Sequence, residues 1–217
     1  MHYDLNTLGL IDEEEIALDL AALSLALLDH SDADLAPSLD LLDAMETRLQ
    51  RIGGAAETPA ERAEALMAVL GREFGLPGHV LVLIGAEAAP IIVDPFAGGV
   101  PVGVDRLAAL ATAFAEPGRA TTQVAAMPNR AVLVRLLQNQ ASRAERAGNG
   151  RRALELYVRM TIMAPAFPHA WWERARLELV DHDVSAARSS LGAMLEITRD
   201  PELRRQVADT LSALPAG

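Results

Sequence analysis

A histidine and an aspartate bracket the part of this sequence that reads as β-structure. Pro77-Gly78-His79 opens the apolar run Val80 to Ile84, and Asp94-Pro95-Phe96 closes a second run, Ile91-Ile92-Val93. Both runs are short and β-branched, and Gly85 to Pro90 separates them with turn chemistry, which predicts one β-hairpin. A hairpin sets the start of one strand beside the end of the next, so His79 and Asp94 are expected to be hydrogen-bonding neighbours. A carboxylate that orients an imidazole is half of the apparatus that activates a nucleophile for acyl transfer or amide hydrolysis. The chain has no cysteine to supply the other half. The expected role of the pair is therefore a structural tie. The alternative is an amide hydrolase or acyl transferase that uses His79 and Asp94 with a nucleophile from elsewhere.

Other residue sets carry less chemistry. Asp29, Asp32 and Asp34 share an acidic loop, but it has neither the turn glycine nor the spaced terminal glutamate of a calcium site. His79, His169 and His182 lack metal-ligand spacing. Neither Gly53-Gly54 nor Gly98-Gly99 sits in a strand-to-helix turn followed by lysine, so no phosphate loop is expected. No metal and no cofactor is anticipated.

Composition narrows the partners. Over 217 residues, 51% are apolar and 23% charged, which is globular composition. No apolar run approaches the roughly 20 residues of a membrane span, and Met1 to Asn6 does not read as a secretory leader. With cysteine absent as well, the cytoplasm is the expected location and a membrane partner is not. All 19 basic residues are arginine. The segment from Met1 to Thr47 holds 12 of the 30 acids and no arginine, so it carries the whole net charge of −11 and one unit more. Such a surface repels phosphate backbones and excludes nucleic acid as the expected ligand. It suits a basic partner protein, or it docks on the arginine-richer C-terminal half.

The elements that would position these residues are mostly helical. Asp12 is a plausible N-cap, followed by Ile16, Leu20, Leu23 and Leu27 at helical spacing. A second helix is expected from about Ser38, with Leu39, Leu42, Met45 and Leu49 on one face, ending at Gly53-Gly54. Thr58, Pro59 and Glu61 form a capping box at the start of a third, whose stripe is Leu66, Val69, Leu70 and Phe74. After the hairpin a helix is expected from about Val104 to Phe114. Two strands alone are marginal, so the hairpin must pack on helices or find a third strand.

From about Asn129 onward the pattern is helical and repeats. Ala153 and Ala187 are 34 residues apart, as are Tyr157 and Leu191, Met160 and Met194, Leu137 and Trp171, and Ala141 and Ala175. That period, with small residues where helices cross, resembles the tetratricopeptide repeat. Pro165 ends the first unit, and Asp200-Pro201 caps a final helix. Repeat pairs of this type offer a groove for a peptide, and Tyr157, Trp172, Arg143 and Arg176 are the residues expected to line it. Trp171 is expected to pack in the core.

Several stretches together resemble bacterial transglutaminase-like proteins with C-terminal tetratricopeptide repeats, the Sir-B-type group. They are Pro77 to Val82, Ile92 to Gly99, Met127-Pro128-Asn129-Arg130 running into the repeats, and the opening helices with Asp34-Leu35-Ala36-Pro37. In that family the nucleophile sits on a helix before the histidine strand, whereas here Arg72-Glu73-Phe74-Gly75 runs straight into Leu76-Pro77-Gly78-His79. The resemblance thus implies a degenerate transglutaminase-like domain over residues 1–128, with its hairpin at about 79–94, and tetratricopeptide-like hairpins over 129–217. The fold expected is mainly α. The function expected is a non-catalytic protein-interaction or regulatory module. A second copy of the chain, adding a strand to the hairpin's open edge, is a further candidate partner.

Overall fold

A computed structural model describes residues 4–73, 82–84, 91–94, 101–103, 105–107 and 127–215. Its helices are α1 (Leu18–Ala26), α2 (Ala36–Gly53), α3 (Pro59–Leu66), α4 (Asn129–Arg146), α5 (Gly150–Met163), α6 (Pro168–Val180), α7 (Val184–Ile197) and α8 (Pro201–Ala213). Strands β1 (Val82–Ile84) and β2 (Ile91–Val93) are described beside them, and the protein is mainly α. No helix among the described residues is long and apolar enough to cross a membrane. The chain divides into two units, residues 1–33 with 127–217, and residues 34–126.

In the first unit the 34-residue period is a period of geometry. The starts of α5 and α7, their ends, and the ends of α4 and α6 are each 34 residues apart. The turns between paired helices repeat bond for bond. Asn149 N–H donates to the Ala144 carbonyl at 2.8 Å, and Asp183 N–H to the Glu178 carbonyl at 2.9 Å. Gly148 (φ 74°) and His182 (φ 62°) both take the left-handed conformation that ends a helix in this way. Asn149 then caps α5 by accepting from Arg152 N–H, and Asp183 caps α7 by accepting from Ala186 N–H. These side chains satisfy donors that each helix start leaves open.

Packing follows the same spacing. Ala141, Ala153 and Met160 of the first hairpin are buried, as are Ala175, Ala187 and Met194 of the second. Small residues at 141/175 and 153/187 let the paired helices approach closely. The main core joins Leu133, Leu137, Leu156 and Met160 to Leu8, Ile16, Ala21 and Leu25 from the N-terminal segment. A second core lies between α6, α7 and α8, where Ala175, Leu191, Met194 and Val207 are joined by Trp171 and Trp172.

The boundary expected at residue 128 therefore does not divide the described structure in two. Residues up to Ala33 group with the repeats, because their apolar side chains complete the core of the first hairpin. The start of the chain also differs in detail. Glu13–Glu15 form one 3₁₀ turn, and α1 begins at Leu18. Its core-facing residues are Ala21 and Leu25, with Leu18, Ala22 and Leu28 beside them, not the stripe of Leu20, Leu23 and Leu27. Leucines stand on every side of this helix, so spacing alone does not choose a face.

In the second unit the capping box forms as expected. Thr58 Oγ1 accepts from Glu61 N–H at 3.2 Å, and Glu61 Oε2 accepts from Thr58 N–H at 3.1 Å. The backbone N–H groups of Thr58 and Glu57, which both donate to the Glu61 carboxylate, hold it below its ordinary value, since they favour its charged form. The helix then widens into a π-helical segment, Met67–Glu73, where a simple α-helical stripe was expected. Strands β1 and β2 pair antiparallel with Val82 opposite Val93, the hairpin that the two apolar runs predict. Pro101 bridges to Val93 on the other side of β2, and Val102 N–H donates to the Ile92 carbonyl at 2.7 Å. Ala63 and Leu66 of α3 pack against Val82, Ile91 and Val93. The hairpin has both helix packing and a third short segment. Of the helix expected over 104–114, residues 105–107 are described and are helical.

Candidate functional site

Asp94 follows β2 directly and is 9% exposed. Its Oδ2 accepts a hydrogen bond from Arg106 Nη2 at 3.3 Å. A charge-assisted bond of this kind ties the end of the hairpin to the helical segment at 105–107. His79 lies outside the described residues, and so does its expected pairing with Asp94.

Two of the four residues expected to line a groove come together. Tyr157 on α5 donates its hydroxyl to Glu145 Oε1 on α4 at 3.2 Å. Arg176 on α6 donates to Glu145 Oε2 at 2.5 Å and to Glu173 Oε2 at 2.6 Å. One polar cluster thus fastens three successive helices. Burial pushes the Tyr157 phenol far above its ordinary value, and the carboxylates of Glu145 and Glu173 push it further. Burial pulls Arg176 down, but its bonds to Glu173 and Glu145 outweigh that and leave it raised. Tyr157 is 4% exposed and belongs to the core. Its spacing at the helix crossing is what places it there.

Arg143 and Trp172 lie elsewhere. Arg143 is exposed and pairs with Asp29 Oδ2 at 3.2 Å, while Arg152 reaches the other oxygen of Asp29 at 3.4 Å. Trp172 packs half-buried against the second core, where an exposed contact was expected. Trp171 packs there too, and its indole N–H donates to the Pro165 carbonyl at 2.8 Å. Its ring carries the Arg174 guanidinium 5.4 Å from the centroid. Among the remaining candidates, Asp34 accepts a hydrogen bond from Ala36 N–H, the first residue of α2. His169 stacks edge-on against Phe167, and His182 forms the left-handed turn.

Sequence reasoning missed two constellations. Glu178 is buried on α6, accepting from Arg174 Nε at 2.8 Å and from Ser190 Oγ on α7 at 2.7 Å. Arg174 also reaches Thr161 Oγ1 on α5 at 3.2 Å. The signal was present in the repeat. Glu178 and Ser190 stand where the first unit has Ala144 and Leu156, so the two exceptions occur as a pair.

The second is centred on Arg130. Its guanidinium donates to the Leu8 carbonyl, to the Met163 carbonyl at 2.8 Å and to the Ile11 carbonyl at 2.7 Å. Its backbone N–H donates to Glu13 Oε1 at 2.7 Å, and its side chain pairs with Glu13 Oε2 at 3.5 Å. Asn129 adds contacts to the Glu13 and Ile16 carbonyls. Gln140 reaches the Leu25 carbonyl at 3.1 Å, and Arg152 donates to the Leu28 carbonyl. Part of the acidic segment thus docks on arginines of the repeat helices, one of the two uses its charge suggested.

No protein-family model, no curated protein and no solved structure matches this chain.

Proposed function

We propose that this protein is a non-catalytic protein-interaction or regulatory module of the cytoplasm. In this reading its helical hairpins are of the tetratricopeptide type, and the part of the chain before them descends from a transglutaminase-like domain that has lost its nucleophile helix. The observation that carries it is the pair of hairpins with the same turn at Gly148 and His182, 34 residues apart. Stacked hairpins stabilise one another through neighbouring contacts and leave extended faces free to vary, which suits binding other proteins. The polar side chains resolved in the first unit support the same reading. Tyr157, Glu145, Arg176 and Glu178 are engaged in holding helices together. The acid-rich N-terminal segment favours a basic protein as partner.

Affinity capture of the tagged, full-length protein from its native host tests this directly. One dominant, stoichiometric partner is expected, and it is expected to remain when His79→Ala removes the imidazole. Nothing enriched above background would overturn the proposal. So would a variant that loses turnover of a small amide or ester substrate while still folded, since that outcome belongs to catalysis.

A further inference from the structure

Residues 4–15 lie against the repeat helices, and two adjacent side chains hold them there. Only Leu8 among them is buried, with Leu5 and Ile11 packed part-buried on the same core. Their other order is local. Thr7 N–H donates to the Asp4 carbonyl at 3.1 Å, Leu10 N–H to the Thr7 carbonyl at 2.9 Å and Glu15 N–H to the Asp12 carbonyl at 3.1 Å. Every hydrogen bond described between this segment and the repeat helices starts from Asn129 or Arg130, the first two residues of α4. The Arg130 guanidinium takes the Leu8 and Ile11 carbonyls and also the Met163 carbonyl, one of those that the end of α5 leaves open. One cation thus fastens the segment to the hairpin. Gly9 lets the backbones meet closely, since a Cβ there would collide with the Ile162 carbonyl, a main-chain group that cannot turn aside.

Helix α1, which follows, is fastened separately. Its Ala21 and Leu25 are buried, Gln140 reaches the Leu25 carbonyl, and Arg143 and Arg152 pair with Asp29 just beyond it. Between the two attachments Ile16 is extended and Ala17 is not yet helical. A segment with one buried anchor and turns of its own opens at lower cost than the helices beneath it.

We infer that residues 4–15 are a detachable strap, the built-in occupant of a peptide site at the start of α4 and the end of α5. With the strap in place, Arg130 is engaged by the strap's carbonyls and by Glu13. When it lifts, the guanidinium and the seat of Leu8 receive a segment of another protein with the same chemistry: a leucine, a glycine after it and a carboxylate four residues further on, as in Leu8, Gly9 and Glu13. Such a partner is acidic and apolar, and so differs from the basic one that the strap's own carboxylates favour. The strap gives the interaction proposed above a means of regulation and rests on that reading for its use.

The test uses full-length chains and a fluorescent synthetic peptide of residues 1–17, followed by anisotropy. Gly9→Ala opens the strap by collision, and Leu8→Ser opens it by removing its anchor. Both variants are expected to stay helical by circular dichroism and to bind the peptide saturably. The parent is expected to bind it about tenfold more weakly or worse, because its tethered strap competes at high effective concentration. Adding Arg130→Gln to Gly9→Ala is expected to weaken binding by about tenfold or more. By hydrogen exchange, Arg130→Gln alone is expected to deprotect the Thr7 and Leu10 amides and leave the middle turns of α4 and α5 unchanged. Equal binding by the parent and the opened variants would overturn the inference, as would binding by neither variant. Loss of helix in both variants, or exchange in which the strap and α5 open together, would make the strap part of the core and overturn it too. Peptide binding with no native partner captured would support the strap and remove only the interaction reading.

Discussion

At the scale of single residues, the polar side chains of the repeat unit act mainly between helices. Tyr157 illustrates the consequence. Its phenol is buried beside Glu145 and Glu173, so the native state favours the neutral form far more than the unfolded chain does. A native pKa above the unfolded value of 10.0 contributes stability that is fully present below pH 10 and declines as pH rises beyond it. Chemical denaturation between pH 8 and about 11 is expected to show this loss in the parent and a smaller one in Tyr157→Phe. Equal alkaline slopes would refute this account of the cluster. Arginine serves in the same way elsewhere. Arg188 donates to the Leu211 and Leu214 carbonyls at the end of α8, and Arg204 donates to the Leu195 and Thr198 carbonyls at the end of α7. Several donors in a fixed plane can serve two or three carbonyls at once, which lysine's single ammonium does with less geometric control. A chain without lysine is consistent with that use.

Among elements, the informative comparison is between the two hairpin turns. Both need one residue in the left-handed region, and the chain uses Gly148 in one and His182 in the other. An L-residue there is disfavoured by about 1–2 kcal/mol, while glycine loses roughly 0.5–1 kcal/mol more backbone entropy on folding. The difference predicts that His182→Gly stabilises the protein by about 0.5–1 kcal/mol. The reverse change, Gly148→Ala, should destabilise by about 1 kcal/mol. A Cβ at Gly148 would meet nothing within 4 Å, so the backbone term is isolated there. Urea midpoints of the two variants check both signs, and a destabilised His182→Gly would show that the imidazole makes a contact of its own. The hairpin β1–β2 teaches a different lesson. Its three-residue strands depend on α3 and on the bridge at Pro101, so its order is borrowed from its neighbours.

For the whole molecule, the unit of folding differs from the unit of repetition. Leu8, Ile16 and Leu25 fill the core of α4 and α5, and Arg130, Gln140 and Arg152 hold their backbone. At the other end α8 covers Leu191 and Met194 through Val207, with its outer positions exposed and polar. Two hairpins are thus closed at both ends, as short solenoids require. Removing residues 1–33 exposes that core and leaves Arg130 without its carbonyls. Burial of three large apolar side chains is worth roughly 5–8 kcal/mol, comparable to the stability of a typical domain. Residues 127–217 alone are therefore expected to lose cooperative thermal unfolding by circular dichroism, whereas residues 1–33 supplied in the same chain restore it. A sharp transition in the truncated protein would show that the repeats fold unaided.

Much of this was already legible in the residues. The capping box at Thr58 and the two apolar runs of the hairpin are local patterns, set by side chains within a few positions of one another, and the 34-residue spacing of Ala153 with Ala187 and Tyr157 with Leu191 repeats one such pattern along the chain. The sequence by itself determined that most of the chain is helical, the caps at Thr58 and Asp200, the pairing of the repeat helices and the segregation of acid from arginine. Tertiary structure decided which face of α1 is buried, because its leucines surround it and only contact with α4 selects Ala21 and Leu25. It also decided that Tyr157, Trp172, Arg143 and Arg176 meet partners of this same chain, since Asp29 and Arg143 are 114 residues apart and no periodicity links them. Periodicity reports what a residue's neighbours in sequence require. Which buried polar group finds which partner depends on the three-dimensional arrangement of helices, and that is settled only when the core closes.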